Sequence, residues 1–299
     1  MGNLIFKPIS IEDKELITSF TLRSNNQNCD FSFANMCSWR FLYDSEFTVV
    51  NGMLLIRFYI DDGRIVYMMP VGEGDVKEAI LLLENDSLSK GHPLCLLGVT
   101  PESVDVLARL FPSDFKFIPE RNYFDYIYLR DDLVRLQGKK YQSKRNHINR
   151  FKNEYDFLYK PITDDVLSDC LALESKWCRQ NGCEENEALQ DERISLAYSL
   201  LHFRELGLMG GTIWIGGQIA AFSFGMPINH NTFGVHVEKA DTSFDGIYAV
   251  MNQQFASHIP DRYMYVNREE DLGIPGLRKA KLSYHPAILL EKNVAVKHR

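Results

Sequence analysis

Two stretches of the chain concentrate residues that could handle anions and protons. Between positions 139 and 152 stand Lys139, Lys140, Lys144, Arg145, Arg150 and Lys152, with no acid among them. On a helix, Lys140, Lys144 and His147 would share one face at i, i+4 and i+7, beside a row of Arg145, Asn149 and Lys152. Like charges at that spacing destabilise an isolated helix by about 0.2–0.5 kcal/mol per pair. An anion would relieve the repulsion, either the phosphates of a nucleotide or RNA or the acidic remainder of the protein. Lys and Arg both suit phosphate, with Arg favouring bidentate contact. The competing reading is a solvated face salt-bridged to nearby carboxylates.

The second stretch, from Asn267 to Pro286, is the densest polar cluster in the chain and includes Asn267, Arg268, Asp271, Arg278, Lys281 and Tyr284. It leaves an expected strand, passes a Gly/Pro turn and enters a short helix near Pro275. Polar residues at the carboxyl end of a strand, facing a helix N-terminus, are where open α/β sheets bind ligands. The alternative is an ion-paired turn that anchors the last helix. If the chain moves an acyl group, Glu238 or Asp241 is the expected base, Tyr284 could protonate the leaving group, and backbone N–H groups could hold the oxyanion. Each has a plainer reading: Glu238 and Asp241 as caps of the helix from Phe244, Tyr284 as core, and His236 as a packed strand residue. There is no Gly-x-Ser-x-Gly elbow, Walker loop or metal motif.

The elements that must position these residues belong to a chain of 299 residues, which suits two domains. Net charge is −7, so +6 in residues 139–152 leaves −13 elsewhere, a balance that suits a local anion site better than a nucleic-acid-coated surface. Apolar runs such as Ala79 to Leu83 and Leu94 to Val99 are far short of a membrane span, and no secretion signal is visible. The six cysteines, scattered without a C-x-x-C pair, are expected to be free thiols in a cytoplasmic protein.

Strand-like runs at Glu46 to Val50, Met53 to Ile60 and Arg64 to Met69 are separated by Asn51-Gly52 and Asp61-Asp62-Gly63, which predicts an antiparallel meander. Helices follow at Asp75 to Leu88 and Glu102 to Leu110, and strands at Phe115 to Ile118 and Phe124 to Leu129 are expected to close the first lobe. A helix over Asp131 to Tyr155 would carry the basic segment. The second lobe repeats the order: helices, a hairpin across Gly216-Gly217, a strand from Thr232 to Glu238, a helix from Phe244 to Ile259, a strand from Tyr263 to Val266, a helix from Pro275 to Tyr284, and a final strand from Ala287 to Val296. The reading is an α/β (α+β) protein of two lobes, 1–135 and 136–299, each a mixed central sheet flanked by helices.

The segment Gly138-Lys139-Lys140-Tyr141 to Arg150, the stretch Asn267 to Pro286 and, more loosely, Trp177 and Ala240 to Gly246 resemble the C-terminal catalytic domain family of phosphatidylglycerol lysyltransferases, stand-alone bacterial members included. The resemblance covers nearly the whole chain. It implies two tandem lobes of the GCN5-related N-acetyltransferase type and transfer of an acyl or aminoacyl group to an amine or hydroxyl. The donor would be aminoacyl-tRNA, gripped by Lys139 to Lys152, or an acyl-CoA; a non-catalytic binding protein on a degenerate transferase fold is the third reading. The membrane region of the lysyltransferases has no counterpart in this sequence, which leaves the acceptor open and peripheral membrane contact compatible. Acyl-CoA enzymes of this fold bind pyrophosphate on a glycine-rich loop, whereas Val237 to Gly246 holds one Gly and three acids.

Overall fold

A computed structural model describes residues 4–60 and 63–298. Asp61 and Asp62 of the expected second hairpin turn lie outside the described residues. Two mixed sheets, each flanked by helices, form the molecule as expected. In the first, the order is Lys7–Pro8, Glu46–Val50, Met53–Ile60, Arg64–Met68, Cys95–Val99, Asn293–Lys297 and Phe115–Pro119, with Val71–Gly72 paired to Met53–Ile60. In the second, it is Ile288–Leu290, Asp125–Leu129, Tyr265–Asn267, Thr232–Ala240, Gln218–Pro227, Met209–Ile215 and Phe157–Pro161.

Turn chemistry sets both hairpins. Asn51 and Gly52 take φ of 49° and 74°, and Gly216 and Gly217 take 56° and 82°. Two successive positive φ values are the two-residue turn whose twist matches its strands. Each sheet then contains one parallel pair, Arg64–Met68 with Cys95–Val99 and Thr232–Ala240 with Tyr265–Asn267. The helix between the second pair, Ile247–His258, buries Ile247, Val250, Met251 and Phe255 against the sheet. Truncating Phe255 to Ala there would cost about 3–5 kcal/mol.

Three segments differ from the sequence reading. Asp125–Leu129 pairs antiparallel to Tyr265–Asn267 in the second sheet, so it does not close the first lobe. The single final strand is two strands: Ile288–Leu290 edges the second sheet, while Asn293–Lys297 runs between Cys95–Val99 and Phe115–Pro119 in the first. Each sheet is thus completed by a strand from the other half of the chain. The helix expected over Asp131 to Tyr155 is broken: Arg130–Arg135 ends at Leu136 with φ 46°, and after a 3-10 turn at Lys139–Tyr141 a new helix runs Gln142–Glu154. Lys140 therefore does not share a helical face with Lys144 and His147.

The lobes meet over one core. Phe31, Phe33, Phe47, Leu54 and Ile56 from the first half pack with Phe222, Phe224 and Met226 of the second. Cys178 and Cys183 correct another expectation, since they form a disulfide. Gly182, with φ 68°, turns the chain after the Leu167–Gln180 helix and brings the two Cα atoms to 5.1 Å. Cysteine usage consequently gives no argument for a reducing compartment; Cys29, Cys37, Cys95 and Cys170 remain free and buried. No helix among the described residues is long and apolar enough to cross a membrane.

Candidate functional site

The parallel pair of the second sheet is short. Thr232, Phe233 and Gly234 face Tyr265, Val266 and Asn267, and beyond Asn267 the two strands part. Glu238 and Arg268 stand on opposite sides of the opening. Arg268 Nη2 donates to Glu238 Oε1 at 3.2 Å and Oε2 at 3.4 Å. With the Asn252 amide oxygen assigned to face the guanidinium, it accepts from Arg268 Nε at 3.2 Å and Nη1 at 3.0 Å. The guanidinium lies 5.2 Å from the Tyr284 ring and 5.9 Å from that of Tyr128, which pack edge to face. Lys144, half-buried, sits 4.0 Å over the other part of this wall, the Tyr284 ring.

Burial sets the protonation behaviour of the group. It raises the pKa of Glu238, against the pull of Arg268 and Lys281. A base closer to ambient pH is a better proton acceptor in a transfer step. Burial also pushes Tyr284 up to about 12, so its hydroxyl keeps its proton. Burial, then the neighbouring Arg268, lowers the pKa of Lys144. Among the described residues no carboxylate pairs with Lys144 at salt-bridge distance. Glu238 answers Arg268, and Lys281 also feels Glu269 and Glu270, so Lys144 is the cation of the opening that is left to face an anion.

The structure thus brings together Glu238, Tyr284, Lys144, Arg268 and Lys281 of the sequence candidates. Lys281 is buried and donates to Arg268 O at 2.5 Å and to Glu270 O, fixing the bend that aims Arg268. Asn267 donates to Gln27 O at 2.8 Å and to Asp125 Oδ2 at 2.7 Å, and accepts from Glu269 N at 2.7 Å. It holds the strand end and is fully buried. Asp271 and Arg278 form an anchor of their own: Arg278 bonds Asp271 at 2.8 and 2.9 Å, Arg121 joins at 3.0 Å, and Tyr126 donates at 2.5 Å. The plainer reading, an ion-paired turn, describes these two residues.

Asp241 is set apart from Glu238. It bonds Lys176 Nζ at 2.5 Å and accepts from Ser243 N at 3.1 Å and Ser243 Oγ at 2.8 Å. The carboxylate therefore closes its own loop ahead of the Ile247 helix. Its neighbour Asp245 pairs with Arg150. In the basic segment, Arg145 is spent on the carbonyls of Leu136 and Gly138 across the helix break, and Lys140 lies 3.5 Å from Asp132. Asn149, Lys139 and Lys152 are exposed. Part of the segment is thus neutralised locally, and Lys139, Lys144 and Lys152 are the cations left to face a ligand.

A third constellation lies where the chain crosses between the sheets, and sequence reasoning missed it. Lys292, buried, meets Glu270 at 2.5 Å, Asp125 at 2.9 Å and Asp30 at 3.3 Å, with Cys29 Sγ at 3.6 Å. Cys29, Asp125 and Glu270 have the spacing of a metal set, but the ammonium group already takes the cation's place. Burial raises Asp125 to about 6 even so, and Lys292 is held well above its ordinary value by the carboxylates. The signal was present in the sequence as Glu291-Lys292-Asn293 between two apolar runs, Ile288 to Leu290 and Val294 to Val296, and as one Asp between Phe124 and Tyr126. Asn252, inside an apolar helical stripe, was the corresponding clue for the Glu238 group.

A strand pair that parts around an acid and its cations, in a lobe built of antiparallel hairpins leading into that pair, sits in a mixed α/β fold of two sheets flanked by helices. The chain belongs to the phosphatidylglycerol lysyltransferase C-terminal family, whose model matches residues 22–296. It is similar to a conserved protein of unknown function from Bacteroides thetaiotaomicron, at 52% identity and TM-score 0.96, covering 98% of this chain and 99% of that one. The C-terminal domain of a candidate lysylphosphatidylglycerol synthetase from Agrobacterium fabrum shares the fold at 14% identity and TM-score 0.69, covering 96% and 92%. L-PGS from Bacillus licheniformis does so at 15% and 0.67, covering 99% and 94%. An uncharacterised protein of Mycoplasmoides gallisepticum is 26% identical over 173 residues, 56% of this chain; the match spans 54% of that relative's length.

Proposed function

We propose that the protein transfers an aminoacyl group from aminoacyl-tRNA to an amine or hydroxyl acceptor, with the chemistry at the Glu238–Arg268 opening. The observation that carries this reading is the part-buried Glu238 carboxylate, paired with Arg268 beside Lys144, at the point where two parallel strands separate. Family membership supports an aminoacyl transferase, and two of the similar structures are described as lysylphosphatidylglycerol synthetases or L-PGS.

In this mechanism Glu238 takes the proton of the acceptor as its nitrogen or oxygen attacks the ester carbonyl. The bond from the carbonyl carbon to the ribose oxygen breaks, and Tyr284 supplies that oxygen with a proton. Arg268 and Lys144 offset the negative charge that develops on the carbonyl oxygen. Lys139 and Lys152 contribute phosphate contacts outside the opening. The loop from Asp241 to Gly246 argues against acyl-CoA, because its acids occupy the ground where a pyrophosphate would sit.

The reading is tested by crystals soaked in parallel with a non-hydrolysable aminoacyl-adenosine and with CoA. The expected result is the aminoacyl-adenosine ordered between Glu238 and Lys144. CoA ordered there instead, with the adenosine compound absent, would replace the reading by acyl-CoA transfer.

A further inference from the structure

On the opposite face of the same strand lies a group that the transfer reaction above does not use. Ser32 Oγ is 2.8 Å from His236 Nε2, and His236 Nδ1 is 2.8 Å from Glu269 Oε1. Glu269 in turn accepts from Asn35 Nδ2 at 2.8 Å. A carboxylate only accepts, so Nδ1 carries the ring proton and Nε2 is left to accept from the serine hydroxyl. Hydroxyl, base and orienting acid at these distances are the signature of an activated nucleophile.

Several local features exist to build this line. The strand ladder slips at His236: Val235 faces Gly225 and Val237 faces Phe224, so His236 has no partner across the hairpin. Such a bulge re-aims side chains. Here it sends His236 toward the Cys29–Ser38 segment of the first lobe, while Glu238 faces Asn252 on the other side. After the strands part, Arg268 and Glu269 diverge in the same way, and Glu269 takes φ of 58° to do so. Gly234 is required beside them, since a Cβ there would stand 2.9 Å from His236 Cε1 and 3.0 Å from Ile228 Cδ1.

We propose that Ser32 is a second catalytic nucleophile, activated by His236 and Glu269, which accepts an acyl group from an ester and passes it to water or another acceptor. In the first half, Ser32 Oγ attacks the ester carbonyl and its proton moves to His236 Nε2. The carbon–oxygen bond to the leaving alcohol breaks, and that alcohol takes the proton from Nε2, leaving an ester on Ser32. In the second half, water gives a proton to Nε2 and attacks the ester, and Ser32 Oγ leaves with that proton. Ser32 is fully buried, and Glu269 is the member of the line that reaches solvent, with 20% of its side chain exposed. Access to Ser32 therefore needs a local opening on the Glu269 side, and the labelling rate is expected to saturate at the rate of that opening. The site stands apart from the Glu238 opening and does not depend on the identity of its donor.

The test is covalent labelling of the intact protein with a fluorophosphonate probe, read by peptide mass spectrometry. The expected result is one adduct on Ser32, absent in Ser32→Ala, with a labelling rate that levels off as probe concentration rises. His236→Asn should slow labelling at least about 100-fold and Glu269→Gln at least about 10-fold. Glu238→Gln should label at the wild-type rate, which separates this inference from the transfer mechanism. Wild-type protein that takes no adduct on Ser32 would overturn it, and so would a folded His236→Asn variant that labels as fast as wild type.

Discussion

Removing the Arg268 guanidinium gives the sharpest test of the part-buried pair with Glu238. Arg268→Met keeps much of the side-chain volume over Tyr128 and Tyr284 but strips Glu238 of its two contacts at 3.2 and 3.4 Å and leaves the Asn252 oxygen without its donor. Breaking a buried ion pair costs about 3–5 kcal/mol. Lys144 and Lys281 still pull Glu238 toward its charged form, so the lower end, about 3 kcal/mol at pH 7, is the expected loss. Its pH dependence has a definite sign. Burial already raises Glu238, and losing the guanidinium raises it further. A carboxylate raised in the folded state penalises folding only where the unfolded chain ionises it, so the cost is full above the folded value and fades as pH falls toward about 4.5. Urea denaturation of wild type, Arg268→Met, Glu238→Gln and the double variant measures this. The double variant should exceed Arg268→Met by at least about 1 kcal/mol at pH 7 and match it near pH 4.5. Costs that add within about 0.5 kcal/mol and do not change with pH would refute the part-buried pair.

The other expectations concern the cations and the anchors. Lys139→Glu with Lys152→Glu should weaken tRNA binding and flatten its dependence on log salt by roughly one unit for each phosphate no longer neutralised, as read by filter binding from low to moderate salt. Arg145 is a poor choice for that experiment, because its bonds to Leu136 and Gly138 hold the helix break. Asp271→Asn should cost about 2 kcal/mol at pH 7. Arg278 and its partners hold Asp271 below its ordinary value despite burial, so this stabilisation is full above about pH 4 and lost as pH falls; the wild-type melting temperature should fall toward the variant's in acid. Lys292→Met leaves Asp125 and Glu270 facing each other without their ammonium group, and should lower stability by about 3–5 kcal/mol at pH 7 in urea denaturation, less below pH 6.

How much of this was legible in the sequence follows from range. The hairpins at Asn51-Gly52 and Gly216-Gly217 were readable because a two-residue turn states its own φ demands. The helices at Val76–Ser89 and Ile247–His258 were readable from their apolar spacing. The stretch Asn267 to Pro286 drew attention by density of charge, and Arg268, Lys281 and Tyr284 do converge on Glu238. Two readings failed where a local pattern was overridden by distant pairing. Ala287 to Val296 reads as one strand, yet Ile288–Leu290 edges the second sheet while Asn293–Lys297 is inserted between two strands of the first, a division set by pairing with residues far away in the chain. The basic segment reads as one helix, but Leu136 and Gly138 turn it, and Asp132 and Asp245 take part of its charge. Ser32 with His236, and Asp125 with Lys292, join residues separated by 204 and by more than half the chain, and periodicity carries no information at that range.

The central claim is that Glu238 is the base of aminoacyl transfer, and single-turnover transfer tests it most directly. Wild type and Glu238→Gln would each be loaded with lysyl-tRNA and mixed with phosphatidylglycerol vesicles or a small-amine panel, following the loss of ester-linked lysine and its appearance on the acceptor. The account predicts a wild-type rate that climbs with pH through the raised pKa of Glu238, and a variant at least about 100-fold slower and free of that climb, with tRNA affinity unchanged. Equal transfer rates in the two proteins would contradict it.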